Sequence, residues 1–316
     1  MNARLRWLRG LIWSAMLLLA GFPVQAKALK VVTSFLPVYC FTVQVAGEWA
    51  EVDNLLPSGV GPHEFQFAPR DLRKLTDADL VIINGLQLES WLETALKQAA
   101  GRRPQKIVAV SDGLDSRLIR DEESQAVRSG AGEKAPAESS GQAPGAGPNP
   151  HIWLDPQLAA HAVTNILKAL QKADPDHAAG YRANALRYLA QLQKLDDDYR
   201  AALTPLKSVA FVTYHQAFPY LIRRYGLNLA GVIEAVPDVE PSPKYLARLS
   251  RLMRDQKVKV IFTEPQYSGK LAVQLARDHQ IDLGVLDTLE TGPLQPGAYE
   301  EGMRRNLGNL VKFLKH

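Results

Sequence analysis

The sequence predicts an α/β protein of two β/α sandwich lobes with parallel sheets, joined by one long linker helix, on three observations. Short runs rich in Val, Ile and Leu alternate with helical stretches in the first and last thirds of the chain, a pattern typical of parallel sheets covered on both faces. Between these parts, one apolar repeat of helical period continues for several turns. With 316 residues, of which 46% are hydrophobic, the chain is long enough for two domains with full cores.

Residues 1–26 have the composition of a signal peptide. Three arginines precede an apolar run over residues 11–20, and small residues end the segment at Ala26. The apolar run is short for a membrane span, which argues against a membrane anchor. We therefore expect secretion into the periplasm, with cleavage after Ala26 and a mature chain that begins at Lys27.

Charge and cysteine content exclude several classes of protein. The formal net charge is +4, but residues 1–26 contain three arginines and no acidic residue, so the mature chain carries only +1. This balance favours neither a nucleic acid nor a membrane surface as a partner. Cys40 is the only cysteine, which excludes an intrachain disulfide and a metal site built from several thiolates. It does not lie beside the cleavage position, where a lipid-anchored protein needs a cysteine.

The N-terminal lobe is expected over residues 27–176. Its predicted strands are Leu29–Phe35, Val52–Leu56, Leu80–Ile83 and Ile107–Val110. Its predicted helices are Pro37–Trp49, Arg70–Leu75, Leu88–Ala99 and Gln157–Lys172. Residues 120–149 interrupt the alternation with Glu, Ser, Gly, Ala and Pro, and lack the apolar surface that would offset the entropy of ordering. We expect this segment to form a flexible loop.

The linker helix is expected over residues 177–204 and the C-terminal lobe over residues 205–316. Apolar residues recur at helical spacing from Tyr181 to Tyr199, and a helix of this length extends about 40 Å, the length of a domain. The predicted strands of the second lobe are Val209–Val212, Leu229–Ile233, Val258–Phe262 and Leu283–Leu286. Its predicted helices are Gln216–Tyr225, Pro243–Gln256, Lys270–Gln280 and Tyr299–Leu314.

Four polar residues lie where two parallel sheets would present a binding site. His63 follows the second predicted strand, His215 the fifth and Asp287 the eighth, while His151 opens a helix. Ligands bind at the carboxyl ends of parallel strands, because loops and helix N-termini converge there. Since each lobe supplies two of these residues, a site made of all four would lie in the cleft between the lobes.

His151 lies in a short rigid segment before a helix. Pro150 disfavours a helical conformation at the residue before it, and Asp155 and Pro156 suit the cap and first turn of the helix that follows. A single histidine in such a place is more often structural than a ligand. The other three candidates are what favour a metal site.

The donor set indicates which metal is preferred. Three imidazoles and one carboxylate suit zinc above all, whereas calcium and magnesium prefer more oxygen ligands. Glu264, at the end of a predicted strand, competes with Asp287 for the fourth position.

Short motifs are spread over nearly the whole mature chain. They are Val32-Thr33-Ser34-Phe35, Gly61-Pro62-His63, Pro69-Arg70-Asp71, Ala78-Asp79-Leu80-Val81, Asn84-Gly85-Leu86, Trp91-Leu92, Asn149-Pro150-His151-Ile152-Trp153-Leu154-Asp155-Pro156, Tyr214-His215-Gln216-Ala217-Phe218 and Glu240-Pro241-Ser242-Pro243. Together they make the chain resemble the periplasmic metal-binding receptors of ABC importers for zinc and manganese. The resemblance implies a rigid long helix between two lobes, and one metal ion held by His63, His151, His215 and Asp287. Manganese receptors more often carry Glu at the third of these positions, so His215 favours zinc.

The implied function is a monomeric periplasmic zinc carrier, not an enzyme, that delivers Zn²⁺ to the membrane permease of an ABC importer. A manganese- or iron-binding receptor of the same family is the alternative. A zinc hydrolase is disfavoured, because four protein ligands close the coordination sphere and Phe67 stands where a zincin motif beginning at His63 needs a second histidine. An adhesin is disfavoured by the lack of a lipid-anchoring cysteine. Residues 120–149 contain no histidine, unlike the corresponding loop of many zinc receptors, so a plain flexible linker is expected there.

Overall fold

A computed structural model describes residues 28–63, 65–92, 106–120, 147–234, 241–267 and 269–315. Within these residues the chain forms two four-stranded sheets, and all neighbouring strands are parallel. The fold class expected from the sequence is therefore confirmed. The signal segment 1–26, most of the helix expected at residues 88–99 and nearly all of the loop expected at residues 120–149 lie outside the described residues.

The two sheets have the same strand order. The strands are β1 (Leu29–Thr33), β2 (Ala50–Asn54), β3 (Leu80–Ile83), β4 (Lys106–Ala109), β5 (Ala210–His215), β6 (Asn228–Glu234), β7 (Val260–Thr263) and β8 (Asp282–Val285). The orders are β2-β1-β3-β4 and β6-β5-β7-β8, so in each sheet the chain steps from an inner strand to one edge and then crosses to the other side. The central strands are β1 and β3 in one sheet and β5 and β7 in the other. In each sheet the connections that leave the two central strands run toward opposite edges, which leaves a crevice at the carboxyl ends of these strands.

Helices pack around the two sheets. Those of the described residues are α1 (Leu36–Ala46), α2 (Pro69–Asp77), α3 (Pro156–Ala173), α4 (Ala178–Leu203), α5 (Pro219–Tyr225), α6 (Pro243–Asp255), α7 (Lys270–His279) and α8 (Ala298–Leu314). Among these helices, none is long and apolar enough to cross a membrane.

The predicted elements that lie wholly in the described residues are all present, and no end differs by more than three residues. The C-terminal end of β5 shows one of the largest differences. It was expected at Val212, but the strand continues to His215 because that residue still pairs with Glu234 of β6. The helix expected from Gln216 then begins only at Pro219.

The long helix α4 packs against both lobes. Its buried residues recur at helical spacing and are Tyr181, Ala185, Tyr188, Leu192, Leu195, Asp196, Tyr199 and Leu203. Asn184 Nδ2 donates to the Val45 carbonyl of α1 at 3.1 Å, and the Tyr199 hydroxyl donates to the Met303 carbonyl of α8 at 2.6 Å. One hydrophobic core cluster contains residues of the first sheet, of α4 and of the second lobe. A shared core favours a rigid connection between the lobes.

A partly buried ion-pair network joins the same elements. Arg224 of α5 binds Asp196 of α4 through two nitrogens, with Nε 2.6 Å from Oδ1 and Nη2 2.5 Å from Oδ2. Its Nε also lies 3.3 Å from Oδ1 of Asp155, at the start of α3. Burial alone would raise the pKa of Asp196, but Arg224 and Tyr225 lower it below its ordinary value. The carboxylate is therefore ionised at neutral pH and attracts Arg224.

Replacing Arg224 with Met keeps the apolar stem and removes the charge. We expect the free energy of unfolding at neutral pH to fall by about 2 kcal/mol, less than for a fully isolated buried charge because Arg200 still reaches Asp196. Since the folded-state pKa of Asp196 is lowered, this stabilisation is present above the ordinary carboxyl pKa and is lost as the pH falls through the folded-state value. Urea unfolding of both proteins at neutral pH measures the difference in the free energy of unfolding, and the same measurement at acidic pH shows whether that difference disappears.

Lys194→Met is the matched control, because it removes an exposed pair with Asp198 on the same helix α4. That pair should contribute less than about 0.5 kcal/mol. Equal losses for the two variants would show that the Arg224 network does not stabilise the protein beyond an ordinary surface charge.

Candidate metal site

The loop after β2 holds His63 at the mouth of a cavity. Trp91 Nε1 donates to the Pro62 carbonyl at 3.1 Å, and the Trp91 ring packs edge-on against Phe65, which anchors the chain on both sides of His63. The His63 side chain remains 26% exposed. A cavity of about 200 Å³ opens beside it, lined by Gly59, Gly61, His63, Pro265, Gln266, Glu290 and Thr291.

The segment before α3 holds His151 inside the protein. Residues Ile152–Leu154 form a short 3-10 turn, and Asp155 caps α3 by accepting a hydrogen bond from a backbone amide at 2.8 Å, as expected from the sequence. On the other side, Asn84 donates from Nδ2 to the Pro150 carbonyl at 3.0 Å. Both flanks of His151 are therefore fixed.

Asn149 sets the tautomer of His151. Asn149 Nδ2 donates to the Gln216 carbonyl at 2.8 Å, so the amide turns its Oδ1 toward His151, where it lies 2.9 Å from Nδ1. An amide oxygen can only accept, so Nδ1 carries the proton and Nε2 presents its lone pair. Burial lowers the pKa of His151 to about 4, which keeps the ring neutral at physiological pH.

His215 ends β5, next to Glu264 at the end of β7. The Glu264 carboxylate accepts hydrogen bonds from His215 Nδ1 at 2.6 Å and from the His215 backbone amide at 3.0 Å. Burial alone would lower the pKa of His215, but Glu264 raises it above its ordinary value. A carboxylate at Nδ1 is the arrangement that orients a metal-binding histidine and makes its Nε2 a stronger donor.

A carboxylate that the sequence analysis did not single out, Glu290, lies with the three histidines. Its Oε1 is 3.1 Å from Nε2 of His151 and 3.3 Å from Nε2 of His63. Burial alone would raise the pKa of Glu290, but the His151 and His63 rings hold it below its ordinary value. The buried carboxylate is therefore negatively charged.

Four potential ligand atoms from four separate segments converge on one point. Nε2 of His151 lies 3.4 Å from Nε2 of His63 and 3.3 Å from Nε2 of His215, and with Oε1 of Glu290 all four atoms lie within 4.8 Å of one another. Four of the six distances between these atoms are 3.1–3.4 Å. A regular tetrahedron with edges of about 3.3 Å has its centre about 2.0 Å from each corner, the bond length of zinc to imidazole nitrogen and carboxylate oxygen. The spacing fits one four-coordinate divalent ion.

Asp287, the residue expected as the fourth ligand, is not part of this group. Its Oδ1 accepts a hydrogen bond from the Leu289 backbone amide at 2.8 Å, and Asn306 holds its backbone. Leu289 adopts a φ of 60° and packs against Gly302, where any side chain would clash with it. This tight turn after β8 directs Glu290, rather than Asp287, toward the histidines.

Glu264, the alternative for the fourth position, lies behind His215 and not among the four converging atoms. The rule that ligands bind at the carboxyl ends of parallel strands points to the loops that carry these carboxylates, since Glu264 follows β7 and Asp287 and Glu290 lie in the loop after β8. It could not choose among the three carboxylates. Their directions depend on the turn at Leu289 and on the pairing of Glu264 with His215.

Comparison with known proteins agrees with this fold. Residues 31–313 match the family described as ZnuA, zinc-uptake complex component A, periplasmic. The chain belongs to this family. Its members are solute-binding components of transport systems and not enzymes, and they act outside the cytoplasm.

Several proteins of known sequence or structure are similar to this chain. The high-affinity zinc uptake system protein ZnuA of Bacillus subtilis is 37% identical over 90% of this chain and 84% of its own length. The structure of FpvC from Pseudomonas aeruginosa with Mn²⁺ has a TM-score of 0.77 at 27% identity, over 92% of this chain and 99% of that one. Zn(II)-bound AdcA of Streptococcus pneumoniae has a TM-score of 0.71 at 29% identity; the match covers 92% of this chain but only 58% of AdcA.

The tautomer of His151 can be observed directly in the metal-free protein. With ¹⁵N-labelled histidine, we expect Nδ1 of His151 to show the chemical shift of a protonated nitrogen and Nε2 that of an unprotonated one at neutral pH, because Asn149 Oδ1 can only accept. The ring should begin to protonate only as the pH falls toward about 4.

Asn149→Ala should remove this preference. Asn165→Ala is the matched control, since Asn165 lies 3.1 Å from Nε2 of His161 and should change the signals of that ring alone. A protonated Nε2 in the parent protein would mean that His151 is not prepared to bind a metal ion.

Proposed function

We propose that this protein captures Zn²⁺ outside the cytoplasm, between its two lobes, and delivers it to the membrane permease of an ABC importer. The ligands are His63, His151, His215 and Glu290, the last in place of Asp287. One observation carries the proposal. Asn149 and Glu264 bind the Nδ1 atoms of two histidines, so their Nε2 atoms face each other at 3.3 Å. Two such nitrogens can lie this close only with a cation between them, either a proton or a metal ion that replaces it.

The donor set favours zinc over manganese or iron. Three neutral imidazoles and one carboxylate have the softness that zinc prefers, and with the ion they form a site of net charge +1. Four protein ligands also match the coordination number of zinc. Manganese and other hard ions prefer oxygen donors, of which this group has one carboxylate. The family relatives named for zinc uptake support the same choice.

The cavity beside His63 provides the path for the ion. Of the four proposed ligands, His151, His215 and Glu290 are each less than 5% exposed, whereas His63 faces the cavity and remains partly exposed. The ion can therefore bind His63 first and lose its remaining water molecules as it reaches the buried donors. Because the lobes share one core, we propose that capture needs only local movement of the loop that carries His63.

The fourth ligand distinguishes this proposal from the expectation based on the sequence. We expect Glu290→Gln to weaken zinc binding by about 100-fold or more, since a neutral amide replaces the anionic donor. Asp287→Asn should change the affinity less than about threefold, because an amide oxygen can still accept the hydrogen bond from Leu289. Competition titration with a chromogenic zinc chelator measures both variants. The reverse order of effects would restore Asp287 as the ligand.

Secretion is part of the proposed function. We expect the mature protein to begin at Lys27, because residues 1–26 have the three regions of a signal peptide. We also expect the mature protein to be a monomer. N-terminal sequencing and intact mass of the protein recovered from a periplasmic fraction measure the cleavage position. Ala26→Leu should slow processing, whereas the nearby Gln25→Asn should not; an intact Met1 in the exported parent protein would contradict the assignment.

A further inference from the structure

Thr288 is a buried hydroxyl residue between Asp287 and Glu290 in the turn after β8. It is 0% exposed, and its carbonyl accepts a hydrogen bond from Trp153 Nε1 at 2.7 Å. Trp153 follows His151 in the segment before α3, so this bond joins the loops of two proposed ligands. The Thr288 backbone therefore has a fixed position beside the metal site.

The direction of the Thr288 hydroxyl proton is also fixed. Gln266 donates from Nε2 to Glu264 Oε2 at 3.0 Å and to Thr288 Oγ1 at 2.9 Å. The Glu264 carboxylate requires a donor, so it sets the orientation of the Gln266 amide. Because Thr288 Oγ1 accepts from Gln266, its own proton points elsewhere, and it donates to Oε2 of Glu290 at 3.3 Å.

The two oxygens of Glu290 consequently have different tasks. Oε1 faces Nε2 of His151 and of His63, at 3.1 and 3.3 Å, while Oε2 is occupied by the Thr288 hydroxyl. We propose that Thr288 is a specificity-determining residue: its hydrogen bond holds Glu290 to a single metal-binding oxygen and so favours four-coordinate zinc over ions that take more oxygen ligands. This inference rests on the proposed function.

The selectivity follows from coordination number. Zinc is satisfied by four ligands at tetrahedral positions, and a second carboxylate oxygen adds little to its binding. Mn²⁺ takes more oxygen ligands and benefits from a carboxylate that binds through both oxygens. To bind in that way, Glu290 must give up the bond from Thr288. The bond therefore disfavours manganese and leaves zinc nearly unaffected.

Thr288→Val removes the hydroxyl at almost constant shape, and Thr288→Ser is the matched control that keeps it. In competition titrations with Zn²⁺ and Mn²⁺, we expect the ratio of zinc to manganese affinity to fall by about tenfold in Thr288→Val, a size typical of residues that orient a metal ligand. Thr288→Ser should leave the ratio within about threefold of the parent.

Co²⁺ provides a readout of coordination that does not depend on affinity. Tetrahedral Co²⁺ absorbs visible light much more strongly than five- or six-coordinate Co²⁺, so the spectrum reports whether Glu290 binds through one oxygen or two. We expect intense tetrahedral bands in the parent and in Thr288→Ser, and weaker bands in Thr288→Val. A general loosening of the fold would lower affinity for all ions without this change of spectrum at saturation.

Gln266→Met is a second variant, which frees the Thr288 hydroxyl to rotate without altering Thr288. It should shift the affinity ratio in the same direction as Thr288→Val, and it decides the question if Thr288→Val does not fold. A parent protein that binds no zinc would overturn the proposed function itself. The other contrary result concerns Thr288 alone. If the parent binds zinc tetrahedrally and Thr288→Val changes neither the ratio of zinc to manganese affinity nor the Co²⁺ spectrum, the role of Thr288 is overturned but the proposed function stands. Gln266→Met replaces Thr288→Val in this test if Thr288→Val does not fold.

Discussion

The close approach of buried imidazole nitrogens and a carboxylate oxygen is the constraint on which this site depends. Nε2 of His151 is held 3.3 Å from Nε2 of His215 and 3.1 Å from the charged Oε1 of Glu290. Behind each histidine, an acceptor occupies Nδ1: Asn149 Oδ1 for His151 and the Glu264 carboxylate for His215. The rings keep these bonds only while Nδ1 carries its proton, so Nε2 remains the atom that binds a further proton or a metal ion. The protein thus holds these atoms at distances that a cation, either a proton or a metal ion, stabilises.

The core that the two lobes share holds these atoms in place. The helix α4 buries one face along its length and contacts α1 and α8, which belong to different lobes. Arg224 adds charged bonds from the second lobe to α4 and to the start of α3, just after His151. The segment that carries His151 is therefore braced against the lobe that carries His215. Side chains that converge to within 3–4 Å need such bracing, since a small shift of either lobe would separate them.

Hydrogen bonds behind the ligands connect the site into one unit. Glu264, Gln266 and Thr288 form a chain that runs from Nδ1 of His215 to Oε2 of Glu290. The Glu264 carboxylate orients the Gln266 amide, and that amide in turn orients the Thr288 hydroxyl. The carboxylate of Glu264 thus contributes to the site without lying among the four converging atoms: it orients one proposed ligand directly and another through two neutral side chains.

The sequence by itself determined the fold class and the three histidines of the site. Apolar runs that alternate with helices are typical of parallel sheets, and the carboxyl ends of such strands face one crevice, so His63 and His215 could be placed there without coordinates. The resemblance to metal receptors of ABC importers added His151, which precedes a helix. Only the tertiary structure decided the fourth residue of the group. Leu289 adopts a backbone conformation that Leu rarely takes, and it is held there by packing against Gly302 of α8, a contact between residues of two separate elements. With the chain turned in this way, Glu290 points inward and Asp287 caps the turn. No local sequence pattern in Asp287-Thr288-Leu289-Glu290 predicts the contact between Leu289 and Gly302.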